Sequence, residues 1–252
     1  MRVLSSIAAI GVLTMGSAAT AGTLTYAQHL ADLEKGRHGE IIEIVATPKD
    51  KAAVVATPSF EGPAVRVNLL DVSGDPIGVI DFKFKAAEAG NRTVVQAVQQ
   101  ALAHRLISAK NGLDPYPYDK SHTDRTYAQA LVDETFAKHP EVIILAIHAT
   151  PPHEKINIIS GSTIGRIGKA ADEDDLRVIQ KGSTNLEVAE NGKRFEAEAP
   201  LNDAKGKRIG ALGVVFAYKA GDDKEALHQQ ALKVRDEMAA KIKSAAVLAQ
   251  PR

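Results

Sequence analysis

The chain of 252 residues contains no cysteine and no tryptophan. Without cysteine there is no disulfide framework, no thiolate metal ligand and no cysteine nucleophile. Aromatic residues make up 4% of the chain, a poor supply for the stacking platforms that hold single-stranded nucleic acid. An excess of one charge sign is also missing. Thirty-one basic residues meet 31 acidic ones, so no field draws the chain to nucleic acid or to anionic lipid. No Gly-rich loop is followed by Lys and Ser or Thr, as a phosphate cradle would need. No serine sits in a Gly-x-Ser-x-Gly elbow, so a hydrolase triad has no anchor. Past residue 21 no apolar run approaches the roughly 20 residues of a membrane span. The expectation is a protein that is not an enzyme, carries no cofactor and resident metal, and binds no nucleic acid.

What is present begins with an export signal. Arg2 precedes an apolar stretch from Val3 to Leu13, and Ala19-Thr20-Ala21 has the small-x-small spacing that signal peptidase reads. Cleavage is expected after Ala21, giving a periplasmic or secreted chain with no membrane span. An uncleaved N-terminal anchor is the alternative.

The remainder matches itself. Tyr26-Ala27-Gln28-His29-Leu30 resembles Tyr127-Ala128-Gln129-Ala130-Leu131, and His38-Gly39-Glu40-Ile41-Ile42 resembles His139-Pro140-Glu141-Val142-Ile143. Asp71-Val72-Ser73-Gly74-Asp75-Pro76-Ile77-Gly78 resembles Asp203-Ala204-Lys205-Gly206-Lys207-Arg208-Ile209-Gly210, and Gln99-Gln100-Ala101-Leu102 resembles Gln229-Gln230-Ala231-Leu232. Collinear matches over a whole module point to an internal duplication, too long in period for a solenoid. The boundaries expected are a signal peptide at 1–21, a pared-down first module at 22–110, a linker at 111–121 and a second module at 122–252.

Periodicity fills in the second module. Residues 122–139 have helical spacing, and 142–147 form an apolar, β-branched run suited to a central strand. A strand is expected over 155–160 after the Thr150-Pro151-Pro152 break, and a hairpin over 185–188 and 194–199 around Glu190-Asn191-Gly192. Another strand is expected over 209–218. Asp222 is read as the cap of a helix over 223–246, and Asn91 as the cap of a helix over 92–108. Between Ser160 and Asp203 the second module carries an insertion that the first lacks, with Gly165-Arg166-Ile167-Gly168-Lys169 and Asp172-Glu173-Asp174-Asp175.

The stretch from Val142 to Lys219 resembles the Cache family of PAS-like extracytoplasmic sensor domains. The resemblance is carried by residues 200–216, from Pro200-Leu201-Asn202-Asp203 through Gly206 and Ile209-Gly210 to the apolar Val214-Val215-Phe216. It implies an α+β fold of two such modules, each an antiparallel sheet flanked by helices; the cytoplasmic output domain that family members usually carry is not expected here. It also implies that a small metabolite is held between the sheet and the inserted segment.

Candidate ligand-binding residues follow from that segment. Arg166 offers a guanidinium clamp for a carboxylate, aided by Lys169, with Ser160, Ser162 and Asn157 as hydrogen-bond partners. If strand alternation holds, Asn157 and Ile159 share one face and Ile158 and Ser160 the other. Asp71 and Asp203 read as turn residues that bond nearby backbone N–H groups. The acidic run 172–175 reads as a favourable helix start, not a calcium loop. His148, His153 and Glu154 have no established ligand spacing and read as an exposed loop. The C-terminal helix reads as a solvated face that is also able to pair in a homodimer. The leading expectation is a small-molecule sensor for an anionic metabolite. A scaffold binding a membrane receptor or envelope partner, and a periplasmic enzyme, stay open.

Overall fold

The structure, a computed structural model, describes residues 23–49, 54–152, 154–189 and 191–252. The segment read as an export signal, His153 and Glu190 lie outside the described residues.

The first half builds a three-stranded antiparallel sheet. Helix α1 (Tyr26–Arg37) leads into β1 (Ile41–Pro48), β2 (Ala64–Leu70) and β3 (Pro76–Phe84), arranged in the order β1-β3-β2. Helices α2 (Asn91–Ala103) and α3 (Ala109–Leu113) follow. The second half starts with α4 (Tyr127–Phe136), β4 (Val142–Ala149) and β5 (Ile158–Ser162). It continues with α5 (Glu173–Lys181), β6 (Asn185–Val188), β7 (Arg194–Asn202) and β8 (Arg208–Ala217). Helices α6 (Lys224–Lys241) and α7 (Ala245–Leu248) end it. Its five-stranded antiparallel sheet runs β5-β4-β8-β7-β6. Each half has its own hydrophobic core, one centred on Leu69, Ile80, Phe84 and Leu102, the other on Leu145, Leu212, Phe216 and Val234. Among the described residues no helix is long and apolar enough to cross a membrane.

The two halves use the same local devices. Thr25 and Thr126 cap α1 and α4 by accepting from the backbone N–H of Gln28 and Gln129, which satisfies a donor that a helix start leaves free. Asp71 accepts from the N–H groups of Ser73 and Asp75, and Asp203 from those of Lys205 and Lys207. Gly78 and Gly210 enter strands where a neighbouring strand leaves no room for a side chain. A Cβ would lie 2.2 Å from the Thr47 carbonyl oxygen and 1.9 Å from that of His148, respectively.

Several elements end elsewhere than periodicity suggests. The C-terminal helix stops at Lys241 because Ile242 turns extended and is fully buried, and its carbonyl accepts from Ala204 N–H. Its cap is Asp223, whose side chain accepts from Glu225 and Ala226, and not Asp222. Helix α2 stops at Ala103, and Leu106 beyond it is fully buried with its carbonyl accepting from Val72. Gly90, and not Asn91, is the cap position of α2. The strand expected over 155–160 begins at Ile158, and Ile158 pairs with Ala149. His148 is no loop residue: it lies within β4, opposite Ala211 of β8. In α6, Ala231, Val234 and Met238 are buried on the chain's own sheet.

The halves meet at charged and apolar contacts. Arg194 of β7 donates to Asp71 at 3.0 Å, to Ser73 at 2.7 Å and to the Ile107 carbonyl at 3.3 Å. Lys193 and Asn191 both reach Asp75. A small apolar cluster of Ile144, Ile164 and Val215 packs against Val72 and Ile107.

Candidate functional site: a cavity under the insertion

Alternation along the second sheet divides its two faces. Leu145, Ile147 and Ala149 of β4, Leu212 and Val214 of β8, and Phe195 and Ala197 of β7 enter the second core. The opposite face carries the other set of side chains: Ile144, Ala146 and His148, Val215, and the row Arg194, Glu196 and Glu198 along β7. The insertion between β5 and β7 folds over this second face. It leaves a cavity of about 240 Å³ lined by this face, apart from Glu198 at its edge, and by Ile159, Ile164, Arg166, Lys169 and Asp175.

One end of the cavity is basic. Arg166 has a left-handed backbone (φ 64°), an uncommon state for a residue with a side chain. Its neighbour Gly165 (φ 67°) is needed there, since a Cβ would meet the Tyr26 hydroxyl at 2.4 Å. The hydroxyl of Tyr26 donates to the Ile164 carbonyl, so the first half pins the bend that presents Arg166. Asp114 lies 3.6 Å from Arg166 and 3.7 Å from Lys169, ion-pair contacts longer than good hydrogen bonds. Its other partner is Tyr118, which donates at 2.8 Å. Arg166 Nε is buried and finds no partner among the described residues. Burial, and then the nearby Arg166 charge, push the Lys169 ammonium below its usual range.

The other end is acidic. Asp172 caps α5 and forms a capping box with Asp175: Asp172 accepts from Asp174 and Asp175 N–H, and Asp175 accepts from Asp172 N–H. That confirms the helix-start role of the acidic run. Asp175 serves a second purpose, since its Oδ2 stands 3.1 Å from His148 Nδ1. Glu198 is 4% exposed, and its Oε1 and His148 Nδ1 find no aligned hydrogen-bond partner among the described residues. Burial, and then proximity to Asp175, hold the Glu198 carboxyl well above the usual range. Burial opposes ionisation of Asp175 too, but its contacts with His148, Glu198 and the Asp172 N–H together outweigh this and hold it low. Glu196, between these groups and the basic end, is pushed up to about 7 by burial, with His148 opposing and Asp175 adding to the rise.

The five residues singled out from sequence part company. Arg166 and Lys169 line this cavity together. Ser160 opens on a second cavity of about 240 Å³ on the other side of β5, near His122, Ile158 and Leu248. Ile159 and Ile158 face the two different cavities, as alternation requires. Ser162 is buried, with its hydroxyl accepting from Ile164 N–H, so it shapes the bend before Arg166. Asn157 is buried outside both linings, and its Oδ1 finds no partner among the described residues.

Sequence reasoning missed Asp175, Arg194, Glu196, Glu198 and the inward placement of His148. A signal was available. Arg194-Phe195-Glu196-Ala197-Glu198-Ala199 alternates charged and apolar residues, which places three charges on one face of a strand.

No family model matches the chain, and no curated protein matches it. Solved structures give distant likenesses at 12% identity. A structure from Burkholderia vietnamiensis described as a GAF sensor protein has a TM-score of 0.36, over 47% of this chain and 76% of that one. The inducer-binding domain of the PobR transcription factor from Acinetobacter, a double mutant with 3-hydroxybenzoic acid, has 0.33 over 46% and 95%. A domain of an IclR-family transcriptional regulator has 0.30 over 52% and 100%. Likenesses at this level decide nothing about function, which has to come from the cavity.

Proposed function

We propose that this is an exported sensor protein that binds a small metabolite bearing a carboxylate, and does not transform it. The observation that carries the reading is the cavity between the second sheet and the insertion, with Arg166 and Lys169 converging on one end of it. Both cations sit beyond close hydrogen-bond range of Asp114, and Arg166 has an unused buried donor. A ligand carboxylate would satisfy that donor and relieve the repulsion between Arg166 and Lys169. The volume suits a small organic acid better than a drug-sized ligand, whose sites start near about 300 Å³. Export from the cytoplasm is carried by the sequence of residues 1–21 alone.

In this reading the two halves descend from one duplicated module, and the first has become a support. The matching order of β1-β3-β2 and β4-β8-β7, together with the shared caps and turns, favours common descent. Tyr26 and Asp114 of the first half hold the bend and the cations of the second.

The test is a thermal-shift screen of the purified protein against organic acids, amino acids, purines and polyamines. A ligand that binds the folded state raises the melting temperature, by about 2.7 kcal/mol of stabilisation at a hundredfold excess over Kd. The expected hit is a small carboxylate, lost in Arg166→Ala. A polyamine hit, or a carboxylate hit that survives Arg166→Ala, would contradict the proposal.

A further inference from the structure

The acidic end of the cavity is built differently from the basic end, and a carboxylate ligand does not account for it. Three elements deliver His148, Asp175 and Glu198 to one point: β4, the first turn of α5 and β7. One ligand atom from each lies within 4.8 Å of the others. Strand β8 runs between β4 and β7 and offers little obstruction. Opposite His148 it presents Ala211, and opposite Glu198 it presents Gly213. Large side chains there would fill the space into which the imidazole and the carboxylate converge.

We propose that His148 Nδ1 and the carboxylates of Asp175 and Glu198 bind a divalent first-row transition metal ion, with its open coordination positions facing the cavity. The spacing fits. Metal–nitrogen and metal–oxygen bonds of about 2.0–2.2 Å put two ligand atoms of one ion between about 3 and 4.3 Å apart. The 3.1 Å between His148 Nδ1 and Asp175 Oδ2 suits adjacent ligands, and small rotations bring Glu198 within range.

Glu198 points to a ligand independently of the acidic cluster. It is 4% exposed, and its Oε1 has no partner among the described residues. A buried carboxylate oxygen without a donor is costly, and His148 Nδ1, within 4.8 Å, also has no aligned hydrogen bond among the described residues. A single cation placed between the two satisfies both atoms and offsets both carboxylates. A set of one imidazole and two carboxylates, in a chain without cysteine, selects ions such as zinc, iron(II) or manganese over copper(I). The Asp172 N–H donates to Asp175 Oδ2 in the capping box, as outer hydrogen bonds hold ligands in built metal sites.

The metal site stands apart from the carboxylate reading, because Arg166 and Lys169 take no part in it. Protein treated with EDTA and then dialysed is titrated calorimetrically with zinc chloride and manganese chloride, and cobalt chloride is followed by its visible absorption. One ion per chain is expected, with His148→Ala and Glu198→Gln each weakening binding at least about tenfold and abolishing the cobalt bands. Glu173→Gln, on the exposed side of α5, should bind as the parent does. Glu198→Gln keeps the volume and removes the carboxyl that would ligate the ion, so it decides the matter if His148→Ala does not fold. Absence of binding at hundredfold metal excess overturns the proposal, as does binding unchanged in both variants. Loss of metal in Glu198→Gln with carboxylate binding intact separates this site from the Arg166 end.

Discussion

Glu196 shows how much of this protein depends on single side chains. It faces the cavity from β7 with its Oε1 3.1 Å from where a Cβ on Gly213 would stand, and burial lifts its carboxyl from 4.5 to about 7. In the unfolded chain the group releases its proton near the ordinary value, while the folded chain keeps it. Stability from this group is therefore complete below about pH 4.5 and falls as pH rises toward 7. The raised position of Glu198 works in the same direction. Metal-free protein should thus be more stable at pH 5 than at pH 8. Glu196→Gln should remove up to about 3 kcal/mol of that difference, read from urea unfolding at the two pH values. Equal pH dependence in parent and variant would show that Glu196 does not keep its proton in the folded chain. Single residues were also where sequence reading fell short. Alternation could place Arg194, Glu196 and Glu198 on one face, but no local pattern says which face of a strand borders a cavity. Asp175 was hidden by doing two things at once, since its capping role alone explains its position in the sequence.

Elements were more legible than their ends. The apolar run at 142–147 became the interior strand β4, and the hairpin formed at β6 and β7. The helices stopped early because tertiary contacts overrode propensity: Leu106 and Ile242 are drawn into the cores, and the turns after Asp71 and Asp203 take their carbonyls. Strand pairing adds a constraint that only the assembled sheet reveals. At Gly210 the β4 backbone lies so close that a methyl group would meet the His148 carbonyl at 1.9 Å. Gly210→Ala should cost at least about 2 kcal/mol through forced separation of β4 and β8, measured as a lower urea midpoint. Gly39→Ala, where a Cβ meets nothing within 4 Å, should leave the midpoint nearly unchanged. If both variants melt alike, the β4–β8 register is wrong.

At the scale of the whole molecule, the first half is tied to the rim of the cavity. Arg194 links β7 to Asp71, Ser73 and Ile107, and Asp71 is almost fully buried. Arg194→Met keeps the aliphatic length but leaves that carboxylate without its counter-charge. It should destabilise the protein by about 2–4 kcal/mol and weaken carboxylate binding, because Ile107 and Arg194 both line the cavity. A variant with parent stability and affinity would show that the halves fold and bind independently. The sequence matches between halves raise the expectation of related modules, but do not say that one half braces the other's cover. That relation depends on contacts such as Tyr26 to Ile164, made across 138 residues of chain.

The account rests on a ligand lying between the second sheet and the insertion. The most direct measurement is methyl NMR of the isoleucine, leucine and valine side chains during titration with the carboxylate that gives the largest thermal shift. Ile159 faces that cavity, and its neighbour Ile158 faces the cavity on the other side of β5. The account predicts that the methyls of Ile144, Ile159, Ile164 and Val215 shift together and saturate, while those of Ile158 and Leu248 stay in place. Shifts at Ile158 and Leu248 with Ile159 and Val215 unmoved would put the ligand in the other cavity and contradict it.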